Sequence, residues 1–539
     1  MGEWGGQSAP QQQYYGQQPQ YGQPPQQYGQ PPHGQYPQYG QHPDGYNSYP
    51  QEPPPQYSFH PPQPNDDKYT FDSAFKVQKP KYNDVWAGIL LILVFCGYVV
   101  ISAVTINGAF FANGRPGRGI YDNSNDFSLN SNTIILFAFV LVVALVFSYA
   151  YVWLARIFPK QFIWLTGILN ICWALGTALF YLYKRYWSAG IVFLIMAVFT
   201  IVAFLSWRSR IPFSALMLKT TITVSKRYGH VYLVSLLGGL VAIAFSAWYA
   251  VTLVAIYVRY QPARDNPQCG PGGGGCGRGK VIGLIVYVTF AMYFLSEWIK
   301  YTIHATIAGV YGSWYFSPHN FPKAATRGAA RRALTYGFGS ISLGSLLIAI
   351  VQFLRQICSV ARSQAADDGG IGGIVLYVVF CLLSCLLGLL EWMVEFVNRY
   401  SIVAVALYNK AYFPAAKDTW KMIKDRGIDA LVQQCLIGPV LSFGALFIAL
   451  ACTLFSYLYL ILTKPQYNAD GGYTPFVLAF AFLIGFQIAN IFTTPLSSGI
   501  DTLFVAMGWD PQILISEHPE LFQEMVRVYP QVQQAIQLR

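Results

Sequence analysis

Four carboxylates sit where an apolar chain has least use for them. Glu297, Glu391, Glu395 and Asp501 each fall within or at the edge of a run of lipid-soluble residues, and a charge at the centre of a membrane helix costs ~2.5–3.5 kcal/mol on insertion scales. A group kept at that cost serves an ion or substrate path, or is neutralised by a neighbour. Glu391, Glu395 and Asn398 recur at i, i+4 and i+7, and Glu297, Tyr301 and His304 repeat the interval. Each helix therefore carries one polar stripe, which should face the other stripe or a wet cavity rather than lipid. Local pairing is the competing use. Lys300 stands three residues from Glu297 and Arg399 four from Glu395, each within reach along its own helix. Glu391 and Asp501 have no such intrahelical cation.

Aromatic rings flank the stripes at Trp298, Tyr301, Trp392 and Tyr400. An ammonium without N–H groups donates no conventional hydrogen bond, so a site for one is built from ring faces and a balancing carboxylate. These residues can supply both, with packing as the alternative use of each ring. His304 reads as a hydrogen-bonded packing residue or as a proton relay. The candidate substrate site is thus Glu297, Trp298, Tyr301, His304, Glu391, Trp392, Glu395, Asn398 and Tyr400, with Asp501 near the inner mouth.

The elements that hold these residues are membrane helices. The chain has 539 residues, 54% apolar and only 11% charged, and its long apolar runs exclude a soluble enzyme. About 20 apolar residues cross a hydrocarbon core of ~30 Å, which predicts an all-α polytopic protein with ten spans. They lie near 85–106, 133–155, 161–183, 187–207, 230–257, 281–303, 335–357, 374–397, 430–462 and 475–503. The helices bearing the stripes stay apolar for about 36–40 residues, more than one crossing needs. This predicts a break near Tyr301 and Tyr400, with the remainder lying along the cytoplasmic interface.

No charged segment followed by a short apolar run marks a cleavable leader in the first 64 residues, so the first span is expected to direct insertion. With the amino terminus inside, the inner loops hold sixteen Lys and Arg against about ten outside. That excess predicts cytosolic termini. The formal charge of +11 reads as this topology signal plus contact with anionic inner-leaflet lipid, not as a nucleic-acid footprint. The predicted organisation is a disordered Gln/Tyr/Pro/Gly-rich tail over 1–64, a juxtamembrane linker over 65–84, a ten-helix domain over 85–510 and a cytosolic tail over 511–539.

Within the tail, "PPQY" places Pro54, Pro55 and Tyr57 in the PPxY pattern that WW domains grip. A WW-containing ubiquitin ligase is one expected partner, with Lys68, Lys76, Lys79 and Lys81 in reach; chance occurrence in a Pro- and Tyr-rich tail is the other reading. Cys269 and Cys276 lie in an outer loop, "CGPGGGGC", flexible enough for the sulfurs to meet as a disulfide in an oxidising compartment. From about residue 210 a unit repeats roughly every hundred residues: a basic amphipathic segment, a Gly-bearing helix, a Gly-rich outer loop and a returning helix.

Several chemistries are excluded. "GGCGRGKV" at 274–281 approaches a phosphate-binding loop, but Val281 stands where a hydroxyl would hold magnesium. No H-E-x-x-H, G-x-S-x-G or paired C-x-x-C occurs. The expectation is therefore no enzyme, no metal and no cofactor. Facilitated or ion-coupled movement remains, and a negative-inside potential alone contributes ~2.3 kcal/mol per 100 mV for an entering cation.

Three long stretches, "RALTYGFGSISLGSLLIAIVQFLR" at 332–355, "NRYSIVAVALYNKAYFPAAKDTW" at 398–420 and "GIDTLFVAMGWDP" at 499–511, carry a likeness. Over roughly residues 80–515 the chain resembles the choline-transporter-like family, solute carrier family 44, and especially its fungal "pH nine sensitive" branch. The resemblance implies a ten-span plasma-membrane protein with both ends cytosolic, and transport of choline or related amines. It departs from animal members in its first outer loop, which is short and has no N-x-S/T sequon. The expected function is plasma-membrane transport of a small, choline-like organic cation. The alternatives are a scaffold or stress sensor acting through its tail, and a channel or lipid-handling protein.

Overall fold

A bilayer offers no partner to a free backbone N–H or C=O, so an apolar chain of this length crosses it as helices whose bonds are internal. In the computed structural model the described residues are 71–77, 79–108, 131–228, 230–260, 277–319, 322, 324–367, 370–425, 432, 435–465 and 474–533. The PPxY motif, the Cys269/Cys276 pair and the tail over 1–64 lie outside them. In chain order the helices are α1 (Val85–Ile106), α2 (Ser131–Ile157), α3 (Pro159–Tyr183), α4 (Trp187–Trp207), α5 (Ile211–Arg227) and α6 (His230–Tyr260). Then come α7 (Arg278–Phe316), α8 (Ala325–Leu334), α9 (Phe338–Asp367), α10 (Gly370–Tyr408) and α11 (Tyr412–Asp425). The series ends with α12 (Ile437–Thr463), α13 (Thr474–Trp509), α14 (Pro511–Glu517) and α15 (Pro519–Val528).

Among the described residues ten helical stretches are long and apolar enough to cross a membrane. The short helices α5, α8 and α11 each precede two long ones, and the second of each pair is the longer: 39 residues in α7, 39 in α10 and 36 in α13. These three returning helices pack on one another.

The expected breaks at Tyr301 and Tyr400 are not there. Both helices run straight through, α7 to Phe316 and α10 to Tyr408. The reason is burial on every side: Ala305 to Ser313 and Tyr400 to Tyr408 are buried without exception. An all-round apolar helix belongs inside a protein, whereas a helix lying on a membrane surface needs a polar face.

Pro495 interrupts α13 from within. Having no N–H, it cannot bond the carbonyl four residues back, and that carbonyl, of Ile491, instead accepts the Ser235 hydroxyl of α6 at 2.6 Å. Ser235→Ala is expected to destabilise the protein by about 1 kcal/mol in detergent unfolding. The loss should vanish when Pro495→Ala lets α13 supply its own bond.

One end of the helix array is closed by short elements. Phe71 and Phe75, in the turn before α1, are buried at 7% and 2% exposure. Arg332 of α8, itself 5% exposed, lies over the Phe75 ring at 4.8 Å and 3.7 Å from Asp72. Burial pushes its guanidinium down to about 10, with Asp72 opposing. Lys76 pairs with Asp510, whose other oxygen accepts from Tyr408 at 2.7 Å. His518, at the head of α15, donates through Nε2 to the Tyr315 carbonyl at 3.0 Å, since a carbonyl can only accept. Its ring stacks on Tyr315, and burial holds its pKa below the ordinary histidine value.

Candidate functional site

Glu297 is the middle residue of α7, and Glu391 and Glu395 lie close to the middle of α10. Helices of 39 residues span ~58 Å, and the acidic groups sit near the middle of that length rather than toward an end. α7 and α10 turn their stripes toward one another, and Lys300 bridges them. Its Nζ lies 3.2 Å from Glu297 Oε2 and 3.1 Å from Glu395 Oε1, and 5.2 Å from the centre of the Tyr301 ring. Gln352 of α9 donates to the other Glu297 oxygen at 3.2 Å. Two carboxylates from two helices and one ring face thus hold a single ammonium.

A turn further along, His304 ties three helices together. Its Nε2 is 3.0 Å from the Arg399 carbonyl of α10 and its Nδ1 is 2.8 Å from the Ser498 hydroxyl of α13. Because the carbonyl accepts only, Nε2 carries a hydrogen, and in the neutral ring Nδ1 takes the hydrogen of Ser498. Packing staple, not proton relay, is the use this geometry fits. Arg399 turns away from Glu395: its Nε is 3.1 Å from Asp501 Oδ2 of α13, its Nη2 donates to Tyr400 at 3.0 Å, and it lies over that ring at 5.1 Å.

Three predicted placements need correction. Glu395 is neutralised by Lys300, not by Arg399 along its own helix. Glu391 has a cation after all, Arg355 of α9 at 2.5 Å. Trp392 is 63% exposed and stacks on Phe396, on the lipid side of α10. The structure brings together Glu297, Trp298, Tyr301, His304, Glu395, Asn398, Tyr400 and Asp501. The residues missed were Gln352, Arg355 and Ser498. Gln352 and Arg355, spaced i, i+3 in the apolar run of α9, were the available signal.

Charge and unpaired polarity mark this cluster. Glu297, Glu391, Glu395 and Asp501 stand against Lys300, Arg355 and Arg399, leaving one net negative charge when all are ionised. Asn398 is 0% exposed with the Tyr301 hydroxyl beside its amide, and Trp298 Nε1 and Thr302 Oγ1 are buried without a hydrogen-bond partner. Buried polar atoms are nearly always satisfied, so such a concentration between α7 and α10 suits the reception of a polar guest. Gly344 of α9 makes the room for Asn398, since a Cβ there would collide with the amide. On the side of the short elements, a cavity of about 10 Å³ runs from Ala305 past Gly309 and Arg332 to Phe71. That is space for about one water.

Residues 191–512 match the family described as plasma-membrane choline transporter. The chain is 70% identical to Protein PNS1 of Gibberella zeae over 473 residues, 88% of this chain and 87% of that protein. It is 56% identical to Protein pns1 of Aspergillus fumigatus, covering 88% and 89% of the two chains. With Protein PNS1 of Saccharomyces cerevisiae the identity is 41%, over 86% and 87%.

Proposed function

The chain belongs to the plasma-membrane choline transporter family, alongside the fungal PNS1 proteins, and from that premise we propose that it carries a small organic cation across the plasma membrane, with both termini cytosolic. The observation that supports this most is the holding of the Lys300 ammonium by Glu297 and Glu395 over the Tyr301 ring. These are the groups a quaternary or primary amine would need, in a mid-helix position shared by two helices. Lys300 acts as a tethered occupant that an arriving cation displaces. Movement is facilitated or ion-coupled.

Uptake of labelled choline into proteoliposomes tests the reading. Full-length protein should raise uptake over protein-free vesicles, an inside-negative potential should accelerate it, and a chain lacking residues 1–64 should transport as well as the whole. If no amine enters above background under any gradient, the carrier reading fails. A scaffold working through its tail then takes its place.

A further inference from the structure

We propose that the groove between α9 and α10 is a binding site for the phosphate of a membrane phospholipid. The groove encloses about 480 Å³ and is lined by Arg355, Ser359, Arg362, Cys381, Ser384 and Gly388, among others. Gly388 and Ser384 precede Glu395 by seven and eleven residues, so the groove lies on the same side of α10 as the Lys300 bridge, two or more turns toward the start of the helix, and is independent of the transport reading.

The argument begins with where the groove opens. Its rims are apolar and face outward: Leu354 and Ile357 on α9 are 44% and 46% exposed, and Leu382, Leu386 and Leu389 on α10 are 62%, 64% and 58% exposed. Both helices are membrane spans, so these rims meet acyl chains. Between them stand two guanidinium groups. Arg355 is half-exposed and gives one nitrogen to Glu391, and its guanidinium lies beside α10 at Gly388, 3.8–4.0 Å from where a Cβ would stand. Arg362 follows two turns later, and no carboxylate among the described residues is within ion-pair distance of it. Ser384 adds a hydroxyl oxygen that is buried and has no hydrogen-bond partner. With Arg355, Arg362 and Glu391 ionised, the groove carries one net positive charge.

Acyl chains cannot satisfy a guanidinium. The anion a bilayer itself supplies is the headgroup phosphate, and the guanidinium fork matches phosphate geometry with two parallel hydrogen bonds. Depth agrees with that source. Arg362 lies five residues from the end of α9 at Asp367, ~7.5 Å of helix, which is the level of a headgroup layer. Arg355 is deeper, and its stem can extend toward the same level. A phosphate between them leaves the acyl chains to run along Leu386 and Leu389.

Native mass spectrometry of the purified full-length protein with dioleoylphosphatidylglycerol tests this. That lipid has no ammonium and so cannot occupy the cation site, which separates failure here from failure of the transport reading. One lipid should remain bound to the wild type. Arg362→Gln should weaken binding at least tenfold. Arg355→Gln with Glu391→Gln, which removes the guanidinium without stranding a carboxylate, should do the same. Dioleoylglycerol, lacking phosphate, should not bind, and soluble glycerol phosphate should bind far more weakly than the lipid. Equal lipid retention by both variants would overturn the proposal. So would retention of dioleoylglycerol, glycerol phosphate bound as tightly as the lipid, or a dimer whose formation excludes the lipid.

Discussion

Replacing Glu297 and Glu395 together by glutamine is expected to reduce amine uptake at least a hundredfold while leaving a monodisperse protein. The two carboxylates hold Lys300 at 3.2 and 3.1 Å. Without them the cluster keeps a cation and loses both counter-charges. A unit charge at ~4 Å is worth up to ~4 kcal/mol at the effective dielectric of a partly screened protein site, and each 1.4 kcal/mol is a factor of about ten. A hundredfold is therefore a discounted figure. Adding Lys300→Met removes the stranded ammonium, and uptake should recover about tenfold from that floor, because the repulsion goes although the attraction does not return. Uptake in the double variant within threefold of wild type would show that the carboxylates only neutralise lysine.

The second large effect is on stability. Asp501 is 4% exposed and its charge is met by Arg399, so Arg399→Gln leaves a buried carboxylate unpaired. Breaking a buried pair from one side costs ~3–5 kcal/mol. The low end is expected here, about 3 kcal/mol, because the Arg399 side chain is 41% exposed. Asp501→Asn alone should cost less, since the long arginine can turn outward. The pair of substitutions together should restore most of the loss, and denaturant unfolding of the three variants reads the cycle directly. An additive cycle would mean that the contact between α10 and α13 carries no coupling.

The ten crossings were legible because twenty apolar residues in a row leave few other structures available, and the two polar stripes because helical spacing places i, i+4 and i+7 on one face. Partner choice was not legible. Lys300 lies beside Glu297 in the chain, yet it also takes Glu395, 95 residues away. Glu391 finds Arg355 and Asp501 finds Arg399 only after three helices have been rotated against one another. Periodicity gives a face and not a neighbour, which is also why Trp392, one residue from Glu391, reads as part of an aromatic box and stands on the lipid side. The expected breaks at Tyr301 and Tyr400 rested on length alone. The absence of any charged residue from Ala305–Ser313 already argued for burial, and Pro495 was the position where a helix had lost a bond and needed a hydroxyl from its neighbour.

The account rests on Lys300 standing where a substrate ammonium stands, and calorimetric titration with tetramethylammonium tests that most directly. Removing a resident competitor raises apparent affinity by the fraction of time it held the site, so Lys300→Met should bind the ion at least tenfold more tightly than wild type, and Glu395→Gln in the same chain should cancel the gain. Affinity unchanged or weakened by Lys300→Met would contradict the account.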